Sequence, residues 1–364
     1  MNILYKISID RVNANYISGW CFHRFKPGRP VQLECYQDEQ LRAEAEASLF
    51  REDLQNLGMH PTGKCGFEFV TEAEVGLDFT KPVLIRPKGK STVLADLSRD
   101  DRIGSGKHIH SAIRRLILKK KKLPRTAVFM HIPKTAGTSF NTLAQSVYPK
   151  GTAISHIELL PQSKYSSLAE YYNYISGHLR LGSIQESFNS ENIDLYTILR
   201  EPYAQLESHL KWLIQTAANQ ENRYFEVTNP IIYNLGVKLG QVIFADKDSL
   251  TEFVGNLNSV EAAFVDNLQT RYFLDRQPER VALDDVETAM GNSSLFKLIG
   301  ITEKYDSFVR EFGELNEIAF SAHEKRMNIS PSASLFDLNS GEVRTILLPL
   351  VYADLKIYRS IAQP

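Results

Sequence analysis

The stretch Thr126-Ala127-Val128-Phe129-Met130-His131-Ile132-Pro133-Lys134-Thr135-Ala136-Gly137-Thr138-Ser139-Phe140 decides how this chain is read. Its first seven residues form a nearly continuous apolar run, the pattern of a strand buried on both faces. From Ser139 to Val147 the pattern becomes helical. Between the two, backbone N–H groups and the positive end of the coming helix converge where an anion can sit, so the segment reads as a phosphate loop. It departs from the nucleoside-triphosphatase pattern G-x-x-x-x-G-K-[ST], because Lys134 precedes Gly137 and no Gly-Lys pair follows. A magnesium-dependent ATPase is therefore disfavoured. A nucleotide kinase with a divergent loop stays as an alternative, and it would need carboxylates or hydroxyls placed for Mg²⁺.

Downstream of Arg125, short apolar runs alternate with longer helical stretches, which predicts a P-loop-like parallel sheet flanked by helices. Tyr174–Ser176, Leu195–Leu199 and Phe296–Ile301 are the further strands. Helices are expected over 204–217, 260–273, 283–290, 305–320 and 341–362. The strand 195–199 ends in Arg200-Glu201-Pro202, and Ser208 follows Arg200 by eight positions. A guanidinium at a strand end and a hydroxyl two turns into the next helix can clamp one phosphate. Taken alone, such an arginine is more often a structural ion pair.

Residues 1–95 read differently. Val31–Tyr36, Gly66–Val70 and Pro82–Ile85 are short alternating runs between turn signals, which predicts a small β-sandwich. Its aromatics, Trp20 included, are expected in that core in preference to an exposed sugar platform. Residues 96–125 form a basic linker, with nine Lys or Arg and no Asp or Glu between Arg102 and Arg125. The sharper readings of 112–125 are an anionic membrane surface or an acidic polysaccharide.

The chain has 364 residues, enough for about two domains, and 42 Lys plus Arg stand against 43 Asp plus Glu. No global field draws it to nucleic acid. Cys21, Cys35 and Cys65 show no C-x-x-C spacing, which speaks against structural zinc and for a reducing compartment. The N-terminus lacks a continuous apolar core behind a basic start, and no window is apolar enough to span a membrane. The expected location is the cytoplasm, with the inner membrane face as a peripheral site.

Together, the Pro133–Ser139 loop and the Arg200/Ser208 pair resemble the sulfotransferases that use 3′-phosphoadenosine 5′-phosphosulfate (PAPS), in the carbohydrate branch that includes the heparan sulfate O-sulfotransferases. The resemblance spans most of 126–330 and implies a sulfotransferase domain over 126–364. It implies that Pro133, Lys134, Thr135, Ala136, Gly137, Thr138 and Ser139 hold the 5′-phosphosulfate and that Arg200 and Ser208 hold the 3′-phosphate. Asp266–Tyr272 and Gly300–Asp306 echo stretches of bacterial relatives. Lys325 and Arg326 fall where the family closes a loop over the nucleotide and are weaker cofactor candidates. Ile17–Cys21, Phe50–Leu54 and Cys65–Glu68 resemble a module found beside bacterial glycan-modifying enzymes.

The chemistry so implied is in-line transfer of a sulfonate to a hydroxyl of a glycan or glycoconjugate, with no metal. Lys134 stabilises the leaving phosphate. His178, in Ile175-Ser176-Gly177-His178-Leu179-Arg180, is chosen as general base because its strand should end on the same sheet edge as Lys134 and Arg200. A buried structural histidine is the plainer reading. His156 and Glu158 are reserve bases, and His131 is expected to orient the loop. Residues 215–233 are expected to be a surface loop in preference to an acceptor-side insertion. The alternative function is a non-catalytic glycan-binding protein of similar fold.

Overall fold

The computed structural model describes residues 4–13, 15–51, 54–55, 58–71, 76–79, 81–97, 125–149, 152–159, 162, 165–219, 224–320 and 334–362. The Lys325 and Arg326 candidates and the basic stretch through residue 124 lie outside them. By contacts the chain divides into two compact units, one drawn from 1–114 with 219–233 and the other from 115–218 with 234–364.

The first unit holds two antiparallel sheets. β1 (Tyr5–Asn13), β2 (Tyr16–His23), β6 (Lys64–Val70) and β5 (Leu49–Phe50) form one in the order β1-β2-β6-β5. β4 (Gln40–Ala47), β3 (Val31–Gln37), β7 (Val83–Pro87) and β8 (Ala95–Asp96) form the other in the order β4-β3-β7-β8. The β3–β4 hairpin turns on Asp38 and Glu39, both at positive φ, as a two-residue turn between right-twisted strands requires. Ile9, Ile17 and Phe67 from one sheet and Leu33, Cys35 and Ile85 from the other share one buried cluster. Trp20 is also buried, stacked on Phe22 at 5.7 Å beside Leu54 and Cys65, so it is core material and not an exposed platform. The three cysteines are buried free thiols, and burial pushes Cys21 and Cys35 up to about 12.

The second unit is built on a five-stranded parallel sheet: β9 (Thr126–Met130), β10 (Ala153–Ile154), β11 (Tyr174–Gly177), β12 (Ile193–Leu199) and β13 (Phe296–Ile301), ordered β10-β11-β9-β12-β13. Every residue of β9 is buried, because its alternate side chains enter two different cores. Val128 and Met130 join Ile175, Leu195 and Leu199 on one face, while Ala127 and Phe129 join Tyr174, Tyr196 and Ile198 on the other. That two-sided burial explains the nearly unbroken apolar run.

The helices are α1 (Gly137–Val147), α2 (Tyr165–Tyr171), α3 (Leu181–Ser187), α4 (Pro202–Ala218), α5 (Tyr224–Thr228), α6 (Pro230–Gly240), α7 (Lys247–Gly255), α8 (Ser259–Val265), α9 (Leu268–Tyr272), α10 (Leu283–Ser293), α11 (Tyr305–Leu315), α12 (Gly341–Leu347) and α13 (Tyr352–Ala362). α1 and α11 cover one face of the sheet, while α2, α3, α9, α10 and α13 contribute to the core on the other. The helix expected over 260–273 is two helices, because Asp266 leaves the helical region and Asn267 adopts φ 47°. The one expected over 341–362 is also two, separated by a short tight turn at Leu348–Leu350, where Pro349 brings no backbone N–H to a continuing helix. The helix expected to reach Phe320 ends at Leu315. Residues 215–233 are not simply a loop: α4 runs to Ala218, α5 covers Tyr224–Thr228 and α6 begins at Pro230. Among the described residues no helix is long and apolar enough to cross a membrane.

Candidate functional site

The sheet order sets the site. β9 has β11 on one side and β12 on the other, with Gly177 opposite Met130 and Thr197 opposite Met130 in the two registers. His131 follows β9, His178 follows β11 and Arg200 follows β12, so the three emerge side by side along the carboxyl ends of adjacent strands. From β9 the chain moves outward toward β10, and from β12 it moves outward to β13, so this edge is the switch point where open parallel sheets bind ligands.

The loop between β9 and α1 is locally strained. Lys134 has φ 66° and Ala136 has φ 70°, both in the left-handed region that side-chain-bearing residues avoid. Such residues cost on the order of 1–3 kcal/mol each and persist where surrounding contacts over-determine them. Those contacts are present. Thr135 Oγ1 donates to the Ile132 carbonyl at 2.9 Å, Gln205 Nε2 to the Pro133 carbonyl at 3.0 Å, and an Arg200 guanidinium nitrogen to the Lys134 carbonyl at 3.2 Å. Left-handed residues alternating in a turn direct successive N–H groups to one side, the geometry of an anion nest. Gly137 opens α1 against the His131 ring, and a Cβ there would lie 2.0 Å from that ring's carbon, so glycine is required.

Lys134 and Arg200 are half-buried cations at this edge. Among the described residues, no carboxylate lies within ion-pair distance of either. Burial, then the charge of Arg200, lowers the Lys134 ammonium from its ordinary value, and burial lowers Arg200 as well. Glu201, Glu207 and Glu303 act on Arg200 from a distance but are engaged elsewhere. Glu207 accepts from Ser334 and the Leu335 N–H, Glu303 from the Glu201 N–H and Tyr358, and Glu201 from the Ala204 N–H. Two cations without an ion-pair partner among the described residues, beside a nest, are an arrangement that can hold a polyanion.

Arg200 is held from behind by a residue whose role spacing could not reveal. Its N–H donates to Gln269 Oε1 at 2.9 Å, and Gln269 Nε2 donates to its carbonyl at 2.9 Å, so one amide side chain satisfies both backbone groups. Gln269 sits in the first turn of α9, where buried Asp354 from α13 accepts from the N–H groups of Gln269 and Thr270 and from the Thr270 hydroxyl. Burial pushes Asp354 up to about 7 despite those donors. Asp266 pairs with Arg271 at 2.5 Å in full burial, and Arg271 also donates to the Asp266 and Pro278 carbonyls. The stretch 266–272 is thus the platform under Arg200.

Ser208 lies on α4 three residues past Gln205, whose amide reaches the loop, so both share that helix face one turn apart. Ser139 is buried in the first turn of α1, and Thr138 is exposed. Next on α4, His209 is buried and stacked on Trp212 at 5.5 Å. Burial, then the Lys134 charge, lowers it to about 4.

The histidines and Glu158 gather on the β11 side. His178 Nδ1 lies 2.7 Å from the His131 carbonyl, which can only accept, so Nδ1 carries the proton and Nε2 keeps its lone pair. The ring stacks on His131 at 4.1 Å, and the His178 N–H donates to Glu158 Oε2 at 3.0 Å. Burial lowers His178 from its ordinary value, partly offset by Glu158 and by the His131 carbonyl. The imidazole is therefore neutral near pH 7. Glu158 Oε1 pairs with His156 Nδ1 at 2.9 Å; burial raises the Glu158 carboxyl, but the His156 hydrogen bond and the histidine charges outweigh it and leave it lowered. His131 is buried against Gly137 and held well below its usual value by burial, then by His178, His156 and Lys134.

Compared with known proteins, the chain matches no family model, and no curated protein matches it.

Proposed function

We propose that the second unit is a PAPS-dependent sulfotransferase that acts on a hydroxyl of a glycan or glycoconjugate. The observation that carries this reading is the placement of Lys134, Arg200 and His178 at the carboxyl ends of three adjacent strands, two as uncompensated cations and one as a neutral base. A bisphosphate donor satisfies both cations, Lys134 on the 5′-phosphosulfate side and Arg200 with Ser208 on the 3′-phosphate.

In the transfer, the acceptor oxygen attacks sulfur in line as the bond from sulfur to the bridging phosphate oxygen breaks. The acceptor proton passes to His178 Nε2. Charge developing on the bridging oxygen falls to Lys134 and to the N–H groups that open α1, whose loop backbone is braced before reaction. The strained loop and its braces from Gln205 and Arg200 support this reading, since preorganised donors need no rearrangement as charge develops.

The test is calorimetric titration of the full chain with 3′-phosphoadenosine 5′-phosphate in the presence of a chelator, with ADP and ATP as controls. Binding selective for the bisphosphate and weakened about 10- to 100-fold in Arg200→Ala is the expected result. Absence of binding would reject the donor assignment and favour a non-catalytic glycan-binding protein.

A further inference from the structure

We propose that His156, Glu158 and His178 form a binding site for a divalent transition-metal ion, with Zn²⁺ as the expected occupant. Each residue offers one ligand atom, and these atoms all lie within 4.8 Å of one another. They come from two neighbouring parts of the sheet edge: His156 and Glu158 follow the edge strand β10, and His178 follows its partner β11. Two imidazoles and one carboxylate form a borderline-soft nitrogen and oxygen set, which favours zinc over magnesium or calcium.

Two further features fit a ligand set. His178 commits Nδ1–H to the His131 carbonyl at 2.7 Å, which leaves Nε2 as its ligating atom; metal-bound histidines are commonly oriented through a second nitrogen in this way. Both histidines already converge on the one carboxylate, His156 through Nδ1 and His178 through its backbone N–H. Zn–N distances of about 2.1 Å place tetrahedral ligand atoms roughly 3.4 Å apart, so the set must contract. Exposed His156, at φ 58°, is the member with room to turn inward.

An ion here would occupy the Nε2 lone pair that the proposed reaction needs, so zinc acts as an inhibitor at this site. That consequence rests on the sulfotransferase reading; the binding itself does not.

The experiment titrates the chelator-treated full chain with Zn²⁺ by calorimetry and with Co²⁺ followed by its visible absorption, with Mg²⁺ as control. The expected result is a saturable Zn²⁺ site and a Co²⁺ spectrum, both weakened at least about 10-fold in His156→Ala and in Glu158→Gln, the loss that even an outer partner of a metal ligand causes. His156 is exposed, so its variant tests the site without disturbing the core. No saturable binding, or equal binding in both variants, would overturn the proposal. Titration of the same samples with 3′-phosphoadenosine 5′-phosphate separates the two claims: bisphosphate binding without zinc binding rejects the metal site alone, and zinc binding without bisphosphate binding rejects the donor assignment alone.

Discussion

Arg271 and Arg200 sit in the same unit, and Gln269 links the segment of one to the backbone of the other, yet their surroundings are opposite. Arg271 is fully buried, and its guanidinium is spent on the Asp266 carboxylate and on the Asp266 and Pro278 carbonyls. Arg200 is half-buried, makes one hydrogen bond to a carbonyl, and has no carboxylate in ion-pair reach among the described residues. The contrast separates a charge that builds the fold from one left without an ion-pair partner among the described residues, which the proposed function assigns to a ligand. It extends to the first unit, where Lys81 pairs with Asp38, Lys88 with Glu44 and Arg51 with Asp10 at or near the surface. Such exposed pairs contribute little to stability, and they leave no charge seeking a partner.

The largest effect that sharpens this contrast is at the proposed base, His178. His178→Ala should lower turnover by roughly 100- to 10,000-fold with bisphosphate affinity preserved, measured by steady-state kinetics beside calorimetry. Full activity in the variant removes His178 from the mechanism.

The two arginines come next. Arg271→Ala leaves the Asp266 carboxylate buried without its counter-charge and should cost about 3–5 kcal/mol in denaturant unfolding. Arg200→Ala should leave that unfolding nearly unchanged but weaken bisphosphate binding by about 10- to 100-fold, the worth of charged hydrogen bonds of about 1.5–3 kcal/mol. If Arg200→Ala destabilises as much as Arg271→Ala, the distinction collapses.

A smaller loss is expected at Gln269, which acts through Arg200. Gln269→Ala strands two Arg200 backbone groups and should reduce bisphosphate affinity by about 10-fold, with Gln269→Glu restoring one of the two bonds and part of the affinity. Equal affinity in Ala and Glu variants would mean that Gln269 does not position the clamp.

The smallest effect is a shift in a pH profile. Burial lowers His178 from 6.5, so the neutral base persists to lower pH and the acid limb of kcat/KM should fall below 6.5. Glu158 acts to raise His178, so Glu158→Gln should move that limb lower still. A limb moving upward in the variant contradicts the geometry described.

The strand, loop and helix were legible because they need only local physics: a strand buried on both faces must be apolar throughout, and the helical pattern resumes where the strand ends. The association of Arg200 with the loop followed from the same reasoning, since strand ends of a parallel sheet lie on one edge. The left-handed backbone at Lys134 and Ala136 was not legible, because neither residue type favours it; contacts from Gln205, Arg200 and Thr135 impose it. The break at Asn267 was likewise hidden under a helical pattern, and it exists because Asn267 donates to the Pro349 carbonyl and accepts from the Ala353 N–H, more than 80 residues away.

By itself, then, the sequence determined the parallel α/β unit, the β-rich unit before it, and the loop, arginine and histidine that line the sheet edge, because these depend on periodicity and on residues near in the chain. Only the tertiary structure decided which charges are neutralised. Whether an arginine meets an aspartate, or a histidine gives its Nδ1 proton to a carbonyl, depends on partners brought from distant segments. Charge compensation is settled over a few ångströms in space, and the order of residues along the chain does not carry that distance.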